Sequence, residues 1–213
     1  MAEALPRYSS LEEWANSLTH GIGAVLAIAG LIVMLVMTIG NGTAWQIVSA
    51  SIYGSTLITM FLASTLYHAI QYAPARKVLR QADHIAILYL IAGSYTPLTL
   101  VTLNGTWGWS LFCVVWGLTV VGTVLQLSPA KKYRALMVGL YLTMGWVAVV
   151  AAKPLITNMS AAGLGLIVAG GLAYTGGVLF YANKRIPFNH AIWHLFVLAG
   201  AILHYFAILF YVL

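Results

Sequence analysis

The sequence predicts an all-α membrane protein in which seven transmembrane helices form one bundle. Apolar residues make up 62% of the 213-residue chain and charged residues 7%, whereas soluble domains carry roughly 25% charged residues. A helix needs about 20 apolar residues to cross a bilayer, and seven such runs follow one another. They cover residues 18–39, 45–69, 82–103, 107–127, 133–152, 160–182 and 188–211. The chain therefore divides into an N-terminal segment, 1–17, and a seven-helix transmembrane domain, 18–213.

Turn residues and small residues mark the ends and the packing faces of these helices. The residues that separate the runs are Asn41, Gly42, Pro74, Asn104, Gly105, Ser128, Pro129, Pro154 and Pro187. Pro97 lies inside the third run, where its missing amide N–H is expected to kink the helix. The sixth run carries a small residue at every fourth position, namely Gly165, Ala169, Ala173 and Gly177. This stripe predicts close approach to a neighbouring helix in lipid.

Basic residues gather on one side of the predicted membrane. Nine of the ten fall in the N-terminal segment or in the second, fourth and sixth connections: Arg7, Arg76, Lys77, Arg80, Lys131, Lys132, Arg134, Lys184 and Arg185. The opposite side holds only Lys153. Because basic loops stay in the cytoplasm, we expect a cytoplasmic N-terminus and an external C-terminus in the inner membrane of a cell. The same asymmetry explains the net charge of +6 and indicates no nucleic-acid partner.

Three histidines are predicted to converge at the cytoplasmic end of the bundle. His190 and His194 are four residues apart, so both imidazoles lie on one face of the seventh helix. His68 ends the second helix, and Ser64 lies one turn away on the same face. Histidine is the commonest metal ligand, and catalytic zinc sites use three protein ligands. We therefore predict that His68, His190 and His194 bind zinc, in preference to serving only as histidines that hydrogen-bond lipid headgroups or backbone.

Two further polar residues are candidates for chemistry beside that ion. Asp83 is expected in the first turn of the third helix, where its carboxylate can act as a base toward the water that zinc activates. Ser64 is expected to hydrogen-bond or orient the reacting group. We therefore predict that Asp83 and Ser64 are catalytic residues.

The other polar residues near this end are assigned weaker roles. His84 points about 100° away from Asp83 around the helix and is expected to support the site or to face headgroups. His204 lies about 15 Å beyond His194, so we expect an interhelical hydrogen bond. Glu13, Asn16 and His20 share one helix face. We expect them to close the cytoplasmic mouth by hydrogen bonding rather than to bind the metal.

At these residues the chain resembles the hemolysin III family of bacterial membrane proteins and, more distantly, the progestin and adiponectin receptor family. The resemblance is carried by ExxNxxTH from Glu13 to His20, by SxxxH from Ser64 to His68, by Asp83 ahead of GSYTP at Gly93 to Pro97, and by HxxxH at His190 and His194. It implies seven spans, a cytoplasmic N-terminus and a zinc held by the three histidines, with Asp83 contacting the zinc-activated water. Receptors of the wider family are associated with ceramide hydrolysis, and alkaline ceramidases share a similar pattern.

Three functions follow from this composition and resemblance. The first is a zinc-dependent hydrolase of a lipid amide or ester, similar to a ceramidase. The second is a non-enzymatic membrane sensor or homeostasis protein in which zinc is structural. The third is a pore-forming hemolysin, which has little support because the spans offer no ring of charges or sustained polar stripe to line a channel. Membrane lipids are the expected partners; a homo-oligomer is compatible with the sequence, and no soluble partner is indicated.

Overall fold

The seven predicted spans are all helices. The computed structural model of the chain describes residues 8–213, so Arg7 of the basic set lies outside the described residues. The helices are α1 (Ser10–Asn41), α2 (Ala44–Ala69), α3 (Ala73–Leu103), α4 (Gly105–Leu127), α5 (Arg134–Asn158), α6 (Ala161–Ala182) and α7 (Asn189–Tyr211). Each is long and apolar enough to cross a membrane. Residues 8–213 contain no strand, which confirms the all-α fold class.

Two helices begin earlier than their apolar runs. α1 starts at Ser10 because Ser9 and Glu12 form a capping box, in which each side chain accepts a hydrogen bond from the other residue's backbone N–H. α3 starts at Ala73, with Pro74 in its first turn. The prediction that Asp83 lies in the first turn of α3 is therefore wrong. Asp83 lies about three turns into the helix, because charged turns precede the apolar part of α3.

Pro97 and Pro154 have different effects on their helices. At Pro97 the α-helix of α3 gives way to π-helical turns over Leu98–Leu103, so the expected break in regular helix is present there. Pro154 was predicted to separate the fifth and sixth helices, and that prediction is wrong. It lies in the first turn of the last helical segment of α5, Ala152–Asn158, where a missing N–H costs no helical hydrogen bond. The chain leaves α5 only at Met159.

The packing of the helices leaves a cavity inside the bundle. α1 packs against α2 and α7, α2 against α3, α3 against α4, and α6 against α7. α5 makes fewer close backbone contacts with its neighbours. A cavity of about 660 Å³ lies between α3, α5, α6 and α7. Large apolar side chains such as Val36, Val124 and Leu179 point outward and are exposed, as expected for a surface that faces lipid.

The contact between α6 and α7 depends on glycines, although on a different set from the predicted stripe. Gly163, Gly170 and Gly177 are buried at every seventh position, whereas Gly165 is exposed. Residues four apart on an α-helix are offset from each other by about 40° around the helix axis, whereas residues seven apart are offset by only about 20°. The heptad spacing therefore stays on the face toward α7. The four-residue stripe leaves that face at Gly165.

Substitution of Gly177 by alanine is expected to destabilise the protein by about 1–3 kcal/mol through overpacking. A Cβ atom at Gly177 would lie 2.7 Å from Cβ of Phe196 and 2.8 Å from Cε3 of Trp193, and a Cβ atom cannot rotate away. Gly165→Ala is the matched control, because no heavy atom lies within 4 Å of its added methyl group. Thermal unfolding of the detergent-solubilised variants measures the difference. Equal melting temperatures would contradict this account of the helix contact.

Candidate metal centre

The structure brings His68, His190 and His194 together. His68 lies in the last turn of α2, and the other two lie in the first two turns of α7. One ring nitrogen from each histidine lies within 4.8 Å of the corresponding atoms of the other two. Three imidazoles at this separation can converge on one ion, since zinc–nitrogen bonds are about 2.0–2.1 Å long. We call the end of the bundle that holds these residues the histidine end.

The histidine ring nitrogens that form no hydrogen bond are suited to bind a zinc ion. Nδ1 of His68 donates to Oε2 of Glu13 over 2.7 Å, and Nδ1 of His194 donates to the carbonyl oxygen of Asn16 over 3.0 Å. Because both acceptors lack a proton, Nδ1 carries it in each ring and Nε2 keeps its lone pair for a metal. Nε2 of His68 and both ring nitrogens of His190 are buried, with no hydrogen-bond partner in the described part of the chain. Buried polar atoms normally have a partner, and a metal ion bound here would supply one to these nitrogens.

Residues of α1 hold the histidines in place. Glu13 bridges His68 and Arg76, and Arg76 also donates to Oε1 of Gln71 over 2.8 Å. Glu13 and Asn16 are buried, and they do hydrogen-bond as expected, but their partners are the candidate ligands rather than a closing mouth. Arg76 was not predicted to contribute. In the sequence it is one basic residue among several that the orientation of the chain already explains.

His20 makes a different contact from the one predicted. Its ring stacks on His194, with centroids 3.5 Å apart and planes within 12°. Neither ring nitrogen has a hydrogen-bond partner within residues 8–213, so the expected hydrogen bond is absent from this region. His20 is 3% exposed and lines the cavity. It therefore buttresses His194 from the side and presents an imidazole to whatever occupies the cavity.

The candidate catalytic residues lie beside the histidines. Asp83 and Ser64 are buried and line the same cavity as His190 and His194. The hydroxyl of Ser64 is buried close to the carboxylate of Asp83, with which it interacts. A carboxylate and a hydroxyl thus face the cavity at the level where the three histidines converge.

The two remaining histidines lie apart from the trio. Nδ1 of His84 lies 2.9 Å from the side-chain amide of Gln126 on α4, which places His84 in a supporting position in the cavity wall. Nε2 of His204 donates to the carbonyl oxygen of Ile167 on α6 over 3.0 Å. This bond confirms the predicted interhelical hydrogen bond.

Tyr8 covers the centre and was missed by the sequence analysis. Its ring lies 5.1 Å from that of His190 and 5.9 Å from that of His68, centroid to centroid. Burial raises the pKa of the Tyr8 phenol, so its hydroxyl stays protonated and can donate a hydrogen bond. Nothing in the sequence distinguished Tyr8, because it precedes the first apolar run and has no partner at helical spacing.

The cavity joins this polar centre to an apolar chamber. Its walls include Leu90, Val138, Leu142, Trp193 and Val197. The volume of about 660 Å³ lies within the range of pockets that enclose drug-sized ligands. Its polar and apolar parts together suit an amphiphile whose polar group lies at the histidines.

Comparisons with known proteins agree on one family. Residues 8–205 match the model of a family described as haemolysin-III related. The chain is 41% identical to Hemolysin-3 of Bacillus cereus, over all of this chain and 98% of that protein. It is 44% identical to the Hemolysin-3 homolog of Bacillus subtilis strain 168, over 94% of each. The human monocyte to macrophage differentiation factor is 31% identical, over 92% of this chain and 83% of its own length.

Proposed function

The chain belongs to the haemolysin-III related family of multi-pass membrane proteins, and from the geometry of its buried centre we propose that it is a zinc-dependent hydrolase of a lipid amide or ester. The observation that carries this proposal is the position of the centre. Three histidines with ring nitrogens available to a metal, a carboxylate and a buried hydroxyl meet at the polar end of an apolar cavity. A site that only tied helices together would have no need of a chamber.

His68, His190 and His194 would hold the ion. Zinc bound there supplies a Lewis acid, which polarises a carbonyl group and activates water at neutral pH. Glu13 and the Asn16 carbonyl fix the tautomers of His68 and His194 and so keep Nε2 directed at the ion.

Asp83 and Ser64 complete the proposed reaction. Asp83 accepts a proton from the attacking water and returns it to the leaving amine or alcohol, while the carbon–oxygen bond forms and the amide or ester bond breaks. The Ser64 hydroxyl donates a hydrogen bond to the carbonyl oxygen. The apolar walls bind the acyl chain and exclude bulk water. With the histidine end facing the cytoplasm of an inner membrane, the lipid carbonyl would lie at the depth of the headgroup boundary.

The experiment that tests this function is lipid mass spectrometry. Zinc-loaded protein is incubated with mixed ceramides and glycerolipids, and fatty acid release is compared with that of Asp83→Asn. Loss of a general base lowers rates by about 100-fold or more, so product from the variant should fall near the blank. Product in neither sample, with zinc bound in both, would assign the metal a structural role in a membrane sensor instead.

A further inference from the structure

Basic residues line the opening of the cavity at the histidine end. The large cavity and a smaller pocket beside it share part of their walls, including Arg80, Asp83, Arg134 and His190. The basic residues that line one or both are Lys77, Arg80, Lys131, Lys132, Arg134 and Lys184. Among the lining residues that the structure describes, Asp83 is the only carboxylate. The described lining residues therefore carry more positive than negative charge.

The smaller pocket concentrates that charge next to the candidate ligands. Arg80, Arg134 and Lys184 surround it together with His190 and the hydroxyl-bearing rings of Tyr8, Tyr67 and Tyr181. The three cations come from separate places in the chain: the first turns of α3, the start of α5 and the connection before α7. Several hydrogen-bond donors thus face one small space of about 20 Å³, which shares part of its walls with the cavity.

Two of these cations have no ion-pair partner among residues 8–213, namely Arg134 and Lys184. Glu13 is bound to His68 and Arg76, Glu12 caps α1, and Asp83 lines the pocket without forming an ion pair with either cation. The ammonium of Lys184 lies over the ring of Tyr181, 4.6 Å from its centroid. Burial and the nearby Arg134 both lower the pKa of Lys184. An anion between the two side chains would relieve this repulsion.

The orientation of the chain explains why basic residues are at this end but not why they line the pocket. Arg185 directly follows Lys184 and satisfies the same orientation rule, yet it lines neither cavity. The pocket also shares walls with the large, mainly apolar cavity, which a small free anion would leave unfilled. A molecule that has both an anionic group and an acyl chain would occupy both spaces.

We propose that, where the small pocket meets the cavity, Arg134 and Lys184 bind the phosphate of a lipid headgroup, so that the ligand is an acyl lipid phosphate whose chain lies in the cavity. This inference rests on the proposed hydrolase and names its substrate class. Because His190 lines both the pocket and the cavity, a phosphate held there places the first ester or amide carbonyl of the same lipid at the histidines.

The test compares two ether lipids that share one chain and differ only in the phosphate: an octadecenyl glycerol and its 3-phosphate. Neither has a carboxylic ester or amide to cleave, so binding to the purified full-length protein is measured without acyl hydrolysis. Two charge-assisted contacts should make the phosphate lipid bind about tenfold more tightly or better. In Arg134→Gln/Lys184→Gln the preference should fall below about twofold, and in Arg185→Gln it should remain. Melting temperatures establish that each variant is folded, and Arg134→Lys/Lys184→Arg should retain the preference.

Three results would overturn the inference. The first is equal binding of the charged and neutral lipids by the unaltered protein, and the second is an unchanged preference in the double glutamine variant. The third is competition by inorganic phosphate at the same concentration as the lipid phosphate, which would assign the pocket to a free anion. A preference for the phosphate lipid without any hydrolysis of its ester counterpart would support the pocket and contradict the hydrolase.

Discussion

Replacing His194 with alanine is expected to remove zinc from the purified protein, from about one ion per chain to the level of the blank. Two histidines and water form a much weaker site than three histidines. Loss of a group that merely orients a ligand already weakens metal binding by about 10–100-fold, so loss of the ligand itself should exceed that range. Elemental mass spectrometry after dialysis against a weak chelator measures the change.

His204→Ala is the control for this variant. His204 is on the same helix and is a half-buried histidine with a hydrogen bond, but it lies about 15 Å from His194 along the axis. The His204→Ala variant should be less stable than the unaltered protein but should keep its zinc. If His194→Ala and His204→Ala retain the same metal content, His194 is not a ligand. If both lose zinc while unfolded, the comparison is repeated with His68→Gln, which keeps a polar side chain at the end of α2.

The sequence predicted the parts of this protein that depend on local patterns. Apolar runs of the right length identify the helices, because a lipid-facing helix must be apolar nearly throughout. The four-residue spacing places His190 and His194 on one face whatever surrounds them. The i, i+3, i+7 spacing likewise places Glu13, Asn16 and His20 on one face of α1, and all three are buried.

The parts that were wrong or missed depend on contacts between helices. Hydropathy locates the membrane-embedded length of α3 but not its polar first turns, so Asp83 was placed too near the start of the helix. The axial register between α1 and its neighbours cannot be derived from the residue pattern of any one of these helices. For that reason the partners of Glu13, the stacking of His20 on His194 and the cover that Tyr8 forms were not predicted.

Glu13→Gln is expected to weaken zinc binding by about 10–100-fold while leaving all three histidines in place. The amide is uncharged and accepts a weaker hydrogen bond from Nδ1 of His68, so the ring is less firmly oriented and less basic. Chelator competition measures the affinity. Glu12→Gln is the matched control: Glu12 is the adjacent carboxylate, but it caps α1 through Ser9, and glutamine serves equally in a capping box. The zinc affinity of the Glu12→Gln variant should equal that of the unaltered protein.

A second variant separates orientation of the histidine from stability of the fold. Glu13→Gln also leaves Arg76 without its carboxylate in a buried position, and breaking a buried ion pair in this way costs about 3–5 kcal/mol. In Glu13→Gln/Arg76→Gln neither charge is left unpaired, so much of the lost stability should return. The zinc affinity should stay low, because His68 still lacks its carboxylate. Recovery of both properties together would mean that Glu13 contributes only to folding, and recovery of stability alone identifies it as the residue that positions His68.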